Sequence, residues 1–267
     1  MKTLTTLLEQ ALTIAYQAGE QLTAFYHQNV HIKIKADQTP VTEADIAVSR
    51  FLVKALSELD PTIPVLSEEN CAIPLAERQQ WQRYWLIDPL DGTQQFIDRT
   101  DQFSVLIALV ENHQPVIGII HAPVLVQTFY AAKGEGAFFV ENGQKTRLLH
   151  QKPFDQQQPI KIAVGRSANQ QKMLAALNPA FQYQFITYGS SGLKSTLVAR
   201  QQCDCYLRFG DTGEWDTAAA QVILQESGGD IFTIDHQPLS YNRRETFVNP
   251  HFIAVGNRHW DWHKILL

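Results

Sequence analysis

The sequence predicts a layered protein of mixed α+β and α/β type, in which a large, mainly antiparallel sheet is followed by a second α/β half. Three observations predict it. Apolar residues recur at three-to-four spacing twice near the N-terminus, strand-like runs separated by turns fill the stretch from Arg83 to Leu149, and strands alternate with helices from about residue 155 onward. The chain has 267 residues, 45% of them hydrophobic, which suits one compact unit or two closely packed halves.

In the first helix, Leu4, Leu8, Ala11, Ala15, Ala18, Leu22 and Phe25 keep the spacing of one buried face. An extended piece, HIKIKAD (31–37), separates it from a second helix that starts near Thr42 and turns Val48, Phe51, Leu52, Ala55 and Leu59 inward. Pro61 and Pro64 end that helix before VLSEEN, a short strand running into acid. RYWLID, FSVLIALV, PVIGIIHAPV, TFYAAK and GAFFVENGQKTRLL then read as strands, the last with an Asn142-Gly143 hairpin turn. The polar stretch HQKPFDQQQP (150–159) marks the boundary between a half spanning 1–154 and a half spanning 155–267. Beyond it come strand IKIAVG, a helix from Asn169 to Leu177, strand YQFITY, a helix from Ser191 to Arg200, strand CDCYLRF, helix TAAAQVILQES and strand DIFTI.

Composition narrows the function. A net charge of -5 leaves no electrostatic footprint for duplex nucleic acid, so an anionic ligand has to be met locally or through metal ions. No run of about 18 apolar residues exists, and the opening MKTLTTLLEQALTIAYQAGEQL carries glutamate and glutamine where a signal peptide has its core. The expectation is a soluble cytoplasmic protein, monomer or homodimer, with peripheral attachment to the inner face of the membrane left open. Cys203 and Cys205 would share one face of a strand and, lacking a second pair, read as buried thiols rather than zinc ligands. His259 and His263 have the spacing of a helical metal pair without a third ligand. No nucleophile elbow, Walker A loop or dinucleotide fingerprint is present.

What remains is a set of acids at the edges of apolar elements, where a carboxylate is costly unless something compensates it. In WLIDPLDGT a strand ends at Asp88, Pro89 starts a turn, and Asp91 comes back to the same side. Gly92 allows close backbone approach and Thr93 opens a helix whose free N–H groups suit an anion. Two convergent carboxylates beside such a hole suit Mg²⁺; a turn followed by a cap is the structural alternative. Glu68 and Glu69 close LSEEN, and Asp216 stands at the mouth of the helix that runs from Thr217, as ligand, as cap or as both. Thr42 and Asp45 have the spacing of a capping box, while Asp45 could also join the acidic set. YGSSGLK is either a phosphate loop or a strand-to-helix turn capped by Ser191.

VTEAD, LSEE, WLIDPLDGT and EWDTAA, in this order and spread over nearly the whole chain, resemble the magnesium-dependent, lithium-sensitive phosphatases of the inositol monophosphatase superfamily. KADQTPVTEAD, GSSGLKSTLVA, YLRFGDTGEWDTAA and PLSYNRRETFVNPHFIAVG are most similar to its bacterial 3'(2'),5'-bisphosphate nucleotidase branch. The resemblance implies an α-β-α-β-α layered, sugar-phosphatase-like fold. It implies Glu68, Asp88, the Leu90 carbonyl, Asp91 and Asp216 as ligands of two or three Mg²⁺ ions, and Asp45 with Thr93 as the pair that orients and deprotonates the attacking water. Backbone groups of Asp91, Gly92 and Thr93 match the family's phosphate cradle, with Glu68 and Leu90 beside it, and residues around Gly189, Ser190, Ser191 and Lys194 and from Glu214 to Asp216 match the region that meets the nucleoside. Two features depart from the branch: Gln94-Gln95 stands where a Lys-Glu pair is usual, and GSSGLK is one residue longer than GSSLK.

The implied reaction is removal of the 3'-phosphate of adenosine 3',5'-bisphosphate, a small phosphorylated nucleotide, to give AMP and phosphate. Two rivals stay open on the sequence: the same chemistry on inositol monophosphate or a sugar bisphosphate, and a silent Mg²⁺-dependent binder of phosphonucleotides.

Overall fold

The computed structural model describes residues 2–28, 32–34, 40–149, 153, 155, 157–166 and 168–267. Helix α1 (Leu4–Tyr26) begins where the Thr3 side chain accepts the Thr6 N–H. A two-stranded pair, β1 (Ile32–Ile34) and β2 (Pro40–Thr42), leads into α2 (Glu43–Leu59). The rest of HIKIKAD, His31 and Lys35 to Asp37, lies outside the described residues. In α2 the buried face is Ala44, Asp45, Val48, Ser49, Leu52 and Leu56, rotated from the expected one. Phe51, Ala55 and Leu59 lie only partly buried at its edge. Polar partners hold the buried face inward: Asp45 closes the capping box with Thr42 and meets the Thr93 hydroxyl, and Ser49 meets the Ser67 hydroxyl at 2.8 Å.

The large sheet takes β3 (Val65–Ser67), α3 (Leu75–Arg78) as an excursion, β4 (Arg83–Asp91), the short α4 (Thr93–Ile97), β5 (Ser104–Glu111), β6 (Gln114–Ala122), β7 (Gln127–Ala132), β8 (Gly136–Glu141) and β9 (Gln144–Leu148). Its strands follow one another in chain order; β3 runs parallel to β4 and every later neighbour is antiparallel. Asn142 and Gly143 both have positive φ in the β8–β9 turn, as a tight hairpin with right-handed strand twist requires.

The second sheet is built from β10 (Ile160–Val164), β11 (Tyr183–Thr187), β12 (Cys205–Arg208), β13 (Asp230–Thr233) and β14 (Phe252–Val255), in the order β11-β10-β12-β14-β13. Helices α5 (Gln170–Ala175), α6 (Ser191–Ala199) and α7 (Trp215–Ser227) connect them. Strand β14, in FIAV, has no counterpart among the strands read from sequence; it returns antiparallel between β12 and β13, and only that insertion completes the sheet. Much of 150–156, where the boundary between halves was expected, lies outside the described residues.

Alternating burial explains the layers. Trp85, Ile87, Val105 and Ile107 face α1 and α2, while Tyr84, Leu86, Leu106 and Ala108 face α6 and α7, so strands buried on both sides read as continuous apolar runs. The second sheet puts Ala163, Tyr206 and Ala254 against α6 and α7, and Ile162, Leu207 and Val255 against α5 and the C-terminal turn at Trp262–Lys264. The order is therefore α-β-α-β-α, as expected. Cys203 precedes β12 and joins the central core, whereas Cys205 joins the outer one, so the two thiols do not share a face. Burial pushes the Cys203 thiol up to about 12 and Cys205 well above its usual value, which keeps both protonated and inert. His259 and His263 lie on no common α-helix; His263 instead stacks on His236 with ring centroids 3.6 Å apart.

Helices α6 and α7 lie between the two sheets, and α7 is buried almost all round. Ala218, Ala219 and Ala220 let it approach closely, and Gly118 of β6 meets it: a Cβ at 118 would run into the Ala219 carbonyl oxygen. Gly118→Ala should destabilise the protein by about 1–3 kcal/mol, because backbone meets backbone and neither can give way. The drop in the urea unfolding midpoint measures it; an unchanged midpoint would show that α7 seats freely.

Candidate active site

Strand β4 does not end at Asp88. It continues through Pro89 to Asp91, with Asp88 opposite Leu106 and Asp91 opposite Ser104, so the register gains a residue between them. This bulge accommodates Pro89, since the residues left out of the ladder need no N–H donor. The Asp88 carboxylate accepts the Leu90 N–H at 2.9 Å. Gly92 then takes φ of 95°, a left-handed conformation that turns the chain into α4 with Thr93 as its first residue.

Asp216 is held from the other side. Helix α7 starts at Trp215, two residues earlier than expected, so Asp216 sits inside the first turn and accepts the Gly213 N–H at 2.6 Å. Asp88, Asp91 and Asp216 offer oxygens that all lie within 4.8 Å of one another. Asp88 and Asp91 are buried, and Asp216 is partly open to a cleft. Burial, followed by the charges of Glu68, Asp91 and Asp216, holds the Asp88 carboxyl well above the usual carboxylate range. Burial, then Asp91 and Glu68, does the same to Asp216. Mutual repulsion in a buried, all-oxygen cluster is the condition that a hard divalent cation relieves, and these residues fit Mg²⁺ by donor type and charge.

Asp91 is the most heavily anchored of the three. Its carboxylate accepts the N–H groups of Ser191 at 2.9 Å and Gly192 at 2.7 Å, the Ser104 hydroxyl at 3.3 Å, and the Ser190 hydroxyl. The start of α6 in GSSGLK thus meets an anion, and that anion is the protein's own carboxylate rather than a phosphate. Ser190 is the cap, accepting the Leu193 N–H at 3.1 Å; it takes the place expected of Ser191, at φ of 56°. The Lys194 ammonium donates to the Ser190 carbonyl, and burial brings its pKa down to about 8.

Thr42 and Asp45 do form the capping box, and Asp45 also reaches the site. One carboxylate oxygen accepts the Thr42 N–H at 2.7 Å and hydroxyl at 2.6 Å; the other accepts the Thr93 hydroxyl at 3.1 Å. Thr93 lies as close to the Leu90 carbonyl, at 3.2 Å. Burial raises the Asp45 pKa against the opposing effect of its Thr42 hydrogen bonds.

A cleft of about 750 Å³ gathers Glu68, Asp88, Leu90, Asp91, Gly92, Thr93 and Asp216 on its walls. Asp45 stays behind Thr93. Gly189, Ser190, Ser191 and Lys194 line an adjoining cavity of about 490 Å³ that shares Asp91 and Asp216 with the cleft. Arg208, which sequence reasoning did not single out, and the glutamine pair, which it did, stand on the shared wall. Arg208 is the one cationic side chain among the described residues lining the cleft; its guanidinium donates to the Asp211 carbonyl at 2.8 Å and leaves Nε without a partner. Its place at the end of strand CDCYLRF, close before EWD, was the available signal. Gln95 packs against Gly189, where a Cβ would strike its Cγ, and Gln94 donates to Asp98 at 2.8 Å. The unusual glutamine pair therefore lines both cavities as neutral packing.

Comparison with known proteins decides the family. The profile of the inositol monophosphatase family matches residues 3–266. The chain belongs to the inositol monophosphatase family. Within it, this member is 55% identical to the 3'(2'),5'-bisphosphate nucleotidase CysQ of Aggregatibacter actinomycetemcomitans over 99% of this chain and 98% of that one. It is 53% identical to CysQ of Haemophilus influenzae, covering 97% and 96%. The crystal structure of CysQ from Bacteroides thetaiotaomicron superposes with a TM-score of 0.82 at 32% identity, covering 96% of this chain and 99% of that one.

The raised acids have a consequence for stability. A carboxyl whose folded pKa lies above its unfolded value of 3.8 favours folding fully below that value, and the contribution is lost as pH rises through the folded pKa. In chelator the wild type should thus weaken on going from pH 5 to pH 8, and added Mg²⁺ should reverse the loss. Asp216→Asn should raise the melting temperature in chelator at neutral pH and abolish most of the rise with Mg²⁺. A mutant that melts lower in chelator yet responds to Mg²⁺ like wild type would contradict the assignment.

Proposed function

We propose that the protein removes the 3'-phosphate of adenosine 3',5'-bisphosphate by water attack. The observation that carries this reading is the triad Asp88, Asp91 and Asp216 within 4.8 Å, beside the Thr93–Asp45 pair in one cleft. Family membership and the bisphosphate nucleotidase names of the 55% and 53% identical relatives support it.

Glu68, Asp88, the Leu90 carbonyl, Asp91 and Asp216 would hold two or three Mg²⁺ ions, which when bound supply positive charge to the phosphate and acidify water. The chain's own groups do the rest. Thr42 occupies one oxygen of Asp45, and the other accepts the Thr93 hydroxyl. The Thr93 hydroxyl can accept from a water in the cleft while its own proton passes toward Asp45, whose raised pKa suits it to take that proton. The bulge and the left-handed Gly92 set the main chain of residues 91–93 along the cleft as the phosphate cradle. Arg208 meets the second phosphate, which the acidic cluster would repel, and Gly189, Ser190, Ser191 and Lys194 line the cavity for the nucleoside. In this reading the site lies between the halves 1–154 and 155–267, which contribute Asp45 to Thr93 and Asp216 respectively.

Phosphate release measured side by side on adenosine 3',5'-bisphosphate, inositol 1-phosphate and fructose 1,6-bisphosphate, with Mg²⁺ and with added Li⁺, tests the substrate. The first should be cleaved fastest, with loss of activity in Li⁺. Preference for inositol 1-phosphate would overturn the nucleotide reading, and ligand binding without phosphate release would make the protein a binder. Asp91→Asn should lower turnover about a hundredfold or more while the fold persists. Arg208→Gln should raise KM for the bisphosphate about tenfold or more yet leave inositol 1-phosphate hydrolysis within about twofold, as expected for a lost charge-assisted contact. Equal effects on both would place Arg208 elsewhere.

A further inference from the structure

Arg78, at the end of α3, is only 1% exposed and does not itself line the catalytic cleft, although Glu245 and Phe247, which it touches, do. It is spent on a distant stretch of chain. Nη1 donates to the Asn242 side-chain oxygen at 2.6 Å, and Nη2 donates to the carbonyls of Arg244 at 2.6 Å and Glu245 at 2.8 Å. Nε holds the Ile73 carbonyl at 3.1 Å. The Asn242 amide returns a bond to the Arg78 carbonyl at 2.6 Å, and the guanidinium lies 4.1 Å from the centroid of the Phe247 ring. A planar fork with every nitrogen engaged holds one geometry, which a lysine could not do.

The segment Arg78 grips, residues 242–248, is a strap bonded to the chain just ahead of Asp216. The Glu214 N–H donates to the Phe247 carbonyl at 2.9 Å, and Gly213 bridges Val248. The fully buried Glu214 carboxylate accepts the Asn242 N–H at 2.7 Å and Arg244 at 3.1 Å. The Trp215 ring lies beside Phe247, 5.5 Å between centroids. On its other flank Arg78 ends α3, and residues 79–82 run from it straight into β4, the strand that carries Asp88 and Asp91 toward its far end. Chain connectivity on one side and these contacts on the other tie the segment that enters β4 to the helix turn that bears the third acid.

We propose that Arg78 is a positioning residue that sets the spacing of Asp216 from Asp88 and Asp91 and so tunes the affinity of the site for Mg²⁺. The proposal rests on the reading of the acids as Mg²⁺ ligands. Three like charges have no attraction to one another, so their spacing has to be imposed from behind. Arg78 contributes to that constraint by fixing the strap to the segment that enters β4, and the strap is bonded to the turn ahead of Asp216.

Mg²⁺ titration by calorimetry, together with the rise in melting temperature that Mg²⁺ produces, tests it on wild type, Arg78→Lys, Asn242→Ala and Leu177→Ala. Leu177 lies in the outer core behind the second sheet and reports destabilisation alone. Arg78→Lys and Asn242→Ala should each weaken Mg²⁺ binding about tenfold or more, the scale on which groups behind metal ligands act. At saturating Mg²⁺ their turnover should return to within a fewfold of wild type, and Leu177→Ala should bind Mg²⁺ normally. Should Arg78→Lys fail to fold, Asn242→Ala, which removes one bond in each direction, decides alone. Wild-type Mg²⁺ affinity in the strap variants overturns the proposal, as does an equal weakening in Leu177→Ala. Absence of Mg²⁺ binding by the wild type would instead overturn the underlying reading of the acids.

Discussion

Three carboxylates that repel one another are kept within the reach of a single cation, and much of the surrounding structure follows from that constraint. Their anchors are neutral groups: a main-chain N–H for Asp88, another for Asp216, and the first turn of α6 with two serine hydroxyls for Asp91. A lysine or arginine bonded directly to each acid would have balanced the charge and filled the place a metal needs. Dipoles orient a carboxylate without neutralising it. The cluster keeps its raised pKa values, and with them its demand for external positive charge.

That demand is met by putting the acids on rigid supports from separate parts of the fold. Asp88 and Asp91 sit on a strand buried on both faces, and the bulge at Pro89 brings them to one side. Asp216 rides on α7, which is wedged between two sheets and fits only because alanines and Gly118 let it close on β6. The strap gripped by Arg78 links the segment that enters β4 to the turn that bears Asp216. The nearby cations are bonded to carbonyls rather than to the acids: Arg208 to that of Asp211 and Lys194 to that of Ser190.

Much of this was legible along the chain. WLIDPLDGT shows Asp88, Asp91, Gly92 and Thr93 as a local unit, because a strand, a bulge and a helix start are made by neighbours in sequence. The capping spacing of Thr42 and Asp45 was equally readable, and both readings hold, since Asp45 caps with one oxygen and meets Thr93 with the other. Less legible were features set by partners far away. β14 is an ordinary apolar tetrapeptide until it is inserted between β12 and β13. GSSGLK looks like a phosphate loop until Asp91, about a hundred residues earlier, occupies its helix start. Arg78 has no motif around it at all.

The sequence by itself determined the layered fold, through burial periods of two and of three to four, and the family, through acidic strings whose order is preserved. It also determined which residue types could serve a divalent cation and a phosphate. Only the tertiary structure decided that Asp88, Asp91 and Asp216 share one site, that Asp91 is held by α6, and that Arg208 stands alone as the cation on the described cleft wall. The physical reason is range. Periodicity, capping and turns are interactions over a few residues, whereas the convergence of like charges is imposed by packing and hydrogen bonds between segments far apart in the chain.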